Sequence, residues 1–127
     1  MNVFVVEDAM QVRKRLVAMV RSVPGVKVVG EAESVSGAIA GVLGSDADTV
    51  LLDLQLTDGS GLDVLTALKA KRPALHVIVL SNFTSTQHRR ASIGAGADVF
   101  LDKSQEFGRV REILRGWLNT SPADAAS

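Results

Sequence analysis

The chain lacks cysteine, lacks a net charge and lacks any long hydrophobic run. Without cysteine it can form neither a disulfide framework nor a thiolate metal site. Its 14 basic and 14 acidic residues cancel, so it has no overall basic field of the kind that non-specific nucleic-acid binding requires. Apolar runs such as Val3–Val6 and Val50–Leu52 are far too short to span a bilayer, and no secretory signal is visible. We therefore expect a soluble, cytoplasmic protein that binds neither membranes nor nucleic acid directly.

Two small basic groups stand out against this neutral background. They are Arg13–Arg15 and the pair Arg89–Arg90. Because short charge runs are usually solvated helix faces, we interpret both groups as exposed surface rather than as binding sites.

With 127 residues, 46% of them hydrophobic, the chain can form one domain with a buried core. Five short β-type segments alternate with helical ones. They are Val3–Val6, Val26–Gly30, Thr49–Leu54, Val77–Ser81 and Val99–Leu101. Most are near-continuous apolar stretches, which is typical of parallel strands buried on both faces. The alternation predicts a doubly wound α/β domain with a five-stranded parallel sheet over residues 1–119. Residues 120–127, small and polar, are interpreted as a flexible C-terminal tail.

The segments between the strands have apolar residues at helical spacing, as at Val110, Ile113 and Leu114. Four serines are predicted N-caps of these helices: Ser34, Ser60, Ser85 and Ser104. The fourth helical segment, which begins near Ser85, has few large apolar residues. We expect this helix to be held weakly and to be a candidate for movement.

Polar side chains follow the ends of four predicted strands. They are Glu7 and Asp8, Asp53, Ser81 and Asn82, and Asp102 and Lys103. Because ligands of open parallel sheets bind beyond the carboxyl ends of the strands, these residues are expected at one edge. Clustered carboxylates repel unless a cation joins them, and oxygen ligands suit Mg²⁺ or Mn²⁺. A carboxylate beside such a cation can act as a nucleophile toward phosphorus, and Asp53 has the best position for that role.

Five segments, taken in order, resemble the receiver domain of bacterial two-component response regulators over residues 1–119. They are Val3–Asp8, Val50–Leu54, Asp58–Leu65, Val77–Ser81 and Gly94–Lys103. As an ordered set they are highly specific for this family. The resemblance implies a flavodoxin-like fold with strand order 2-1-3-4-5 and five helices.

The resemblance also implies a role for individual residues. Asp53 matches the phosphoacceptor, and Asp8 matches a direct Mg²⁺ ligand with Glu7 as its acidic partner. Gln55 matches the position whose backbone carbonyl completes the metal site, with Mn²⁺ as a possible substitute ion.

Three further positions match the part of the family that responds to the phosphoryl group. Ser81 and Lys103 match the hydroxyl and ammonium that bind it, and Phe100 matches the aromatic residue that rotates inward. The implied donor is a sensor histidine kinase or a phosphotransfer domain. The implied output is a changed face, made by the fourth helix, the fifth strand and the fifth helix, for an unidentified protein partner. A monomer or weak homodimer is expected.

Four positions depart from the family's usual pattern. Ser104 replaces a proline that is commonly preceded by a cis peptide, so we predict a trans bond from Lys103. Thr57 also replaces a common proline, which indicates a less rigid loop. Asn82 stands where a small residue is usual and is expected to influence the lifetime of the phosphoryl group. Phe100 lacks the hydroxyl of the more common tyrosine.

Three alternatives remain open at this point. An aspartyl-nucleophile phosphohydrolase would also place a carboxylate beside Mg²⁺, but it typically needs a second aspartate where Gln55 stands. A flavodoxin-type cofactor module would require a phosphate-binding first loop, where Glu7 and Asp8 would repel the phosphate. The chain could instead be the receiver fragment of a DNA-binding transcription regulator. We favour a non-enzymatic, stand-alone receiver.

Overall fold

A computed structural model describes residues 1–119 of the chain. The strands are β1 (Asn2–Val6), β2 (Lys27–Ala32), β3 (Thr49–Asp53), β4 (Gln55–Leu56), β5 (Gly59–Ser60), β6 (His76–Ser81) and β7 (Val99–Asp102). The helices are α1 (Met10–Arg21), α2 (Val35–Leu43), α3 (Gly61–Lys71), α4 (Thr86–Gly94) and α5 (Arg109–Asn119). None of these helices is long and apolar enough to cross a membrane. The tail predicted at residues 120–127 lies outside the described residues.

The main sheet is parallel and has five strands in the order β2-β1-β3-β6-β7. This order is the predicted 2-1-3-4-5, because β6 and β7 are the fourth and fifth strands of the main sheet. The short strands β4 and β5 pair antiparallel as a separate hairpin between β3 and α3. The flavodoxin-like α/β fold is therefore confirmed, with one small hairpin added to it.

The core lies on both faces of the main sheet. Every residue of β3 is buried, as are all but the first residue of β6. One face carries α2 and α3 with residues such as Val64 and Leu68, and the other carries α1 and α5 with residues such as Leu16. Burial on both faces explains why the strand sequences are continuous apolar runs.

Three of the four predicted N-caps are confirmed. Ser34, Ser60 and Ser85 each accept a hydrogen bond from a backbone N–H in the first turn of the following helix. The prediction for Ser104 was wrong, since α5 begins only at Arg109. The Ser104 hydroxyl instead donates to Asp102 Oδ1 at 2.7 Å, and its backbone N–H donates to the same oxygen at 2.9 Å. Because Ser104 makes these hydrogen bonds to the Asp102 side chain, it does not cap a helix.

Helix α4 is weakly held, as predicted. Its only buried residue is Ser92, whose hydroxyl donates to the His88 carbonyl at 2.9 Å. Its one large aliphatic residue, Ile93, is 48% exposed. Because little apolar area anchors it to the sheet, this helix stays a candidate for movement.

Gly61 lets α3 begin directly against the end of β3. A Cβ atom at this position would lie 2.2 Å from the carbonyl oxygen of Asp53 and 2.9 Å from Cα of Leu54. Both neighbours are backbone atoms, so they cannot rotate away as a side chain would. The Gly61 N–H also donates to the Leu54 carbonyl at 2.8 Å. The glycine therefore fixes the backbone that carries Asp53.

Replacing Gly61 with alanine is expected to destabilise the fold, because the new methyl group must displace the Asp53 backbone. The expected loss is about 1–3 kcal/mol in the free energy of unfolding, as for other overpacked sites, measured by urea denaturation. Gly116→Ala in α5 is the matched control, because a Cβ there meets no atom within 4 Å. Alanine at that helical position should be neutral or stabilising. Equal stability of both variants would show that β3 tolerates the displacement.

Candidate functional site

The carboxyl ends of β1, β3, β6 and β7 bring the predicted polar residues together. Glu7, Asp8 and Asp53 each place a carboxylate oxygen within 4.8 Å of the others. Glu7 is fully buried, Asp53 is 5% exposed, and Asp8 is exposed to solvent. The site is therefore an acidic cluster that is open on one side, at the edge where the sheet topology predicts a ligand site.

Lys103 neutralises the buried part of this cluster. Its Nζ lies 2.7 Å from Glu7 Oε1 and 3.1 Å from Asp53 Oδ2, and its side chain is 13% exposed. Burial of the ammonium works to lower its pKa. Hydrogen bonding to Glu7 and the attraction of both carboxylates outweigh this effect, so the pKa of Lys103 is raised. The lysine is therefore a fixed positive charge between two carboxylates.

The pKa of Asp8 is raised above its ordinary value. Partial desolvation of its carboxyl group is the largest cause, followed by a hydrogen bond to Glu7 and by repulsion from the Glu7 charge. Lys103 works in the opposite direction but does not cancel the rise. Three carboxylates face one lysine at this edge, so the cluster favours a further positive charge.

The donor set fits a hard divalent cation. Glu7 Oε1 is buried, and its partner is the Lys103 ammonium at 2.7 Å. Its second oxygen, Oε2, accepts from the Ala9 N–H at 3.1 Å. Carboxylate oxygens with spare acceptor capacity on an open side suit Mg²⁺, which keeps several waters and takes only one or two carboxylates.

The hairpin of β4 and β5 places Gln55 beside Asp53. The Gln55 N–H donates to Asp53 Oδ1 at 3.2 Å, which orients the carboxylate opposite its contact with Lys103. The Gln55 side chain is exposed. The assignment of Gln55 as a ligand stays a prediction.

The loop that carries Gln55 is tied to the turn between β2 and α2. Both the backbone N–H and the hydroxyl of Thr57 donate to the Glu33 carbonyl, at 3.4 and 3.0 Å. Asp58 Oδ1 accepts from the Val35 N–H at 2.5 Å, and Oδ2 lies 3.5 Å from the Ser36 N–H. Neither tie was predicted from the sequence. A proline at position 57 could form neither of these hydrogen bonds, because it has no N–H and no hydroxyl. The two bonds of Thr57 restrain the loop by contact, whereas a proline would restrain it through its ring.

Ser81 and Asn82 follow β6 as predicted. Ser81 is fully buried, and its hydroxyl oxygen accepts from the Phe83 N–H at 2.9 Å. Its carbonyl accepts from the Lys103 N–H at 3.0 Å, so this residue connects the ends of β6 and β7. Asn82 is exposed. The Lys103–Ser104 bond is trans, because residues 1–119 contain no cis peptide.

Phe100 is buried in β7 and is covered by Arg89 of α4. The Arg89 guanidinium carbon lies 4.7 Å from the centre of the Phe100 ring, and its Nη1 donates to the Phe100 carbonyl at 3.2 Å. A cation stacked on an aromatic face is attracted by the ring quadrupole. Arg89 is thus not simply a solvated charge, and it joins the weakly held helix to β7.

Several known proteins are similar to this chain in sequence. The family model described as the response regulator receiver domain matches residues 3–115. The chain is 36% identical over 102 residues to the DNA-binding transcriptional activator DevR/DosR of Mycobacterium tuberculosis, covering 80% of this chain and 47% of that protein. It is 33% identical over 114 residues to the nitrate/nitrite response regulator NarP of Escherichia coli, covering 90% of this chain and 53% of that protein. The chain thus spans about half the length of these curated relatives.

Solved structures are similar over almost the whole domain. The response regulator domain of Thermotoga maritima CheB superposes with a TM-score of 0.82 at 26% identity, covering 96% of this chain and 98% of that one. The isolated receiver domain of RcsB from Salmonella enterica, solved with the phosphomimetic BeF₃⁻, superposes with a TM-score of 0.85 at 20% identity. It covers 99% of this chain and 96% of that one. The second likeness supports the fold.

The Asp58 tie predicts a pH dependence of stability. Backbone hydrogen bonds from Val35 lower the pKa of Asp58 most, so its folded pKa lies below the unfolded value of about 3.9. The stabilisation is therefore complete above that value and is lost as the pH falls through the folded pKa. Urea midpoints should show Asp58→Asn less stable than the wild type near pH 7, with the gap closing at acid pH. Asp46→Asn, at an exposed position, is the control. A gap that is constant with pH would contradict this account.

Proposed function

The chain belongs to the response regulator receiver domain family, and we propose that it accepts a phosphoryl group on Asp53. The observation that carries this proposal is the position of Asp53. Its carboxylate is 5% exposed at the end of a central strand, with Lys103 on one oxygen and the Gln55 N–H on the other. Within residues 1–119, no other carboxylate combines these two contacts with a position beside the acidic pair Glu7 and Asp8.

The transfer is a substitution at phosphorus with a phosphohistidine as donor. An oxygen of Asp53 forms the new bond to phosphorus while the bond from phosphorus to the imidazole nitrogen breaks. The electron pair of that bond leaves with the imidazole, which takes a proton from the solvent. Carboxylate nucleophiles of this kind give an acyl phosphate, which splits one phosphoryl transfer into two steps. Receiver domains take part in such exchanges with histidine kinases, and the kinase or phosphotransfer partner remains the expected donor here.

Glu7, Asp8 and Asp53 are the residues that would hold Mg²⁺, with the Gln55 carbonyl as a further ligand. When bound, the cation supplies positive charge against the phosphoryl oxygens. The protein's own contribution is the arrangement of its residues. The buried Glu7 fixes the acidic pair in place, and the fixed Lys103 ammonium is within reach of any group attached to Asp53 Oδ2.

The residues proposed to respond to the phosphoryl group are Ser81, Lys103 and Phe100. Before phosphorylation the Ser81 hydroxyl accepts from the Phe83 N–H, which places it in the loop that leads into α4. A phosphoryl group offers strong acceptor oxygens, so the hydroxyl and the ammonium gain a better partner on Asp53. The equilibrium then shifts toward arrangements in which these groups face Asp53. Helix α4 follows because it is weakly packed.

The output is proposed to be the face made by α4, β7 and α5. Arg89 connects α4 to Phe100, so a change at the site reaches this face through a direct contact. Many relatives are DNA-binding transcriptional regulators, and the regulators DevR/DosR and NarP are about twice the length of the match. Whether the partner is a second protein or a DNA-binding domain, the receiver itself serves signalling rather than turnover. That this chain binds no nucleic acid directly stays a prediction.

The phosphohydrolase alternative is less well supported. Such an enzyme needs a general acid near the nucleophile, and the residue two positions after Asp53 is Gln55, whose side chain cannot donate a proton in that way. The flavodoxin-type alternative requires an anion site in the loop after β1. The buried charge of Glu7 and the exposed charge of Asp8 oppose it.

Phosphorylation of Asp53 can be tested directly by mass spectrometry after incubation with acetyl phosphate. The wild type is expected to gain a single phosphoryl group in the presence of Mg²⁺ and essentially none with excess EDTA. Asp53→Asn should gain none, because the amide oxygen is a poor nucleophile. Asp63→Asn, at an exposed position in α3, is the matched control and should be labelled like the wild type.

Two results would contradict the proposal. One is equal labelling of the wild type and Asp53→Asn, which would place the phosphoryl group elsewhere. The other is sustained turnover of phosphomonoesters, which would favour the phosphohydrolase. A time course on the same sample reports the effect of Asn82 on the lifetime of the acyl phosphate.

A further inference from the structure

We propose that Arg13 is a positioning residue that holds the acidic loop of the metal site in its working geometry. This inference rests on the proposed function and adds a residue to it. Arg13 belongs to a basic run that the sequence suggested to be solvated, yet its side chain is only 17% exposed. Its neighbour Lys14 is exposed. The burial of one member of the run and not the next indicates a specific role.

Arg13 binds the backbone of the acidic pair rather than its carboxylates. Nη1 donates to the carbonyl of Glu7 at 2.8 Å, and Nε donates to Glu31 Oε1 at 3.2 Å. The same Nη1 lies 3.9 Å from Glu33 Oε2. The planar guanidinium therefore links the end of β1 to the end of β2, using several donors in a fixed fork that lysine cannot reproduce.

The side chains at the start of α1 give the loop that Arg13 holds no capping support. Ala9 occupies the N-cap position of α1 and has no side chain that could cap the helix. No acidic residue lies in the first turn. The Glu7 N–H donates to the Ala32 carbonyl at 3.0 Å, and the Glu7 carbonyl accepts from the Arg13 guanidinium at 2.8 Å. Removing the guanidinium would leave the Glu7 carbonyl, at the start of the segment that carries both acidic ligands, without this partner.

The same network reaches the opposite side of the site. The carbonyl of Glu33 accepts both hydrogen bonds of Thr57, and Thr57 belongs to the hairpin turn that follows Gln55. Arg13 thus lies at the start of a chain of contacts that runs from the acidic pair, through the turn after β2, to the loop bearing the proposed carbonyl ligand. Partners of metal ligands act in this way by fixing ligand orientation, and losing one typically weakens metal affinity about 10–100-fold.

The direction in which the metal affinity changes when Arg13 is removed distinguishes a positioning role from a purely electrostatic one. Arg13 is positive, so as a charge alone it repels a divalent cation, and its removal would tighten binding. As a positioning residue it keeps the ligands together, and its removal would weaken binding. The two roles predict opposite changes in the dissociation constant. Arg13→Lys keeps the charge and loses the fork, so it isolates positioning.

The test is Mn²⁺ binding to the full chain, followed by the EPR signal of the free ion, since Mn²⁺ takes the same oxygen ligands as Mg²⁺. Arg13→Met and Arg13→Lys are each expected to raise the dissociation constant about tenfold or more. Lys14→Met is the matched control and should bind within about twofold of the wild type, or slightly tighter. At saturating Mg²⁺, labelling of Asp53 by acetyl phosphate should largely recover in both Arg13 variants, because positioning is restored by the bound ion.

Two results of the Mn²⁺ experiment would overturn different claims. If either Arg13 variant binds Mn²⁺ as tightly as the wild type or more tightly, the positioning role is overturned while the proposed function stands. If the wild type binds no Mn²⁺, the metal site itself is overturned, and with it the basis of this inference. Arg13→Lys carries the test should Arg13→Met fail to fold, which circular dichroism reports.

Discussion

The burial of negative charge at one edge of the sheet is the constraint on which the rest of the site depends. Glu7 and Asp53 are almost completely removed from water, and Asp8 adds a third carboxylate to them. Isolated buried charges are very costly, so a positive partner is obligatory. Lys103 provides it from β7, at 2.7 and 3.1 Å. One ammonium opposite three carboxylates leaves a net negative cluster.

The surrounding structure keeps these like charges together against their repulsion. Gly61 allows α3 to press against the backbone of Asp53, while Thr57 and Asp58 tie the following hairpin to the start of α2. Arg13 holds the loop of the acidic pair from the other side. In contrast, α4 has almost no buried apolar surface and is attached through polar contacts such as those of Arg89. A rigid site beside a loosely held helix is an arrangement in which a local change of charge can alter a distant surface.

The five main strands and the acidic edge could be predicted from the sequence, because buried parallel strands require continuous apolar runs and the residues after them must meet. The hairpin of β4 and β5 could not be, since two-residue strands have no detectable period. The predicted N-cap at Ser104 was wrong because the hydroxyl and the backbone N–H of Ser104 both donate to the Asp102 side chain. Arg13 was misjudged because its partners Glu31 and Glu33 are distant in sequence and come close only when β1 and β2 pair.

The balance of charge around Lys103 is tested most directly by unfolding free energies of the wild type and Lys103→Met at increasing Mg²⁺ concentration. Without Mg²⁺ the variant is expected to be less stable by about 3 kcal/mol, as when one partner of a buried ion pair is removed. Mg²⁺ should stabilise both proteins in proportion to RT ln(1 + [Mg²⁺]/Kd). The gain should be larger in the variant, because the cation no longer meets the repulsion of the lysine. A loss of stability that Mg²⁺ does not reduce would contradict the account.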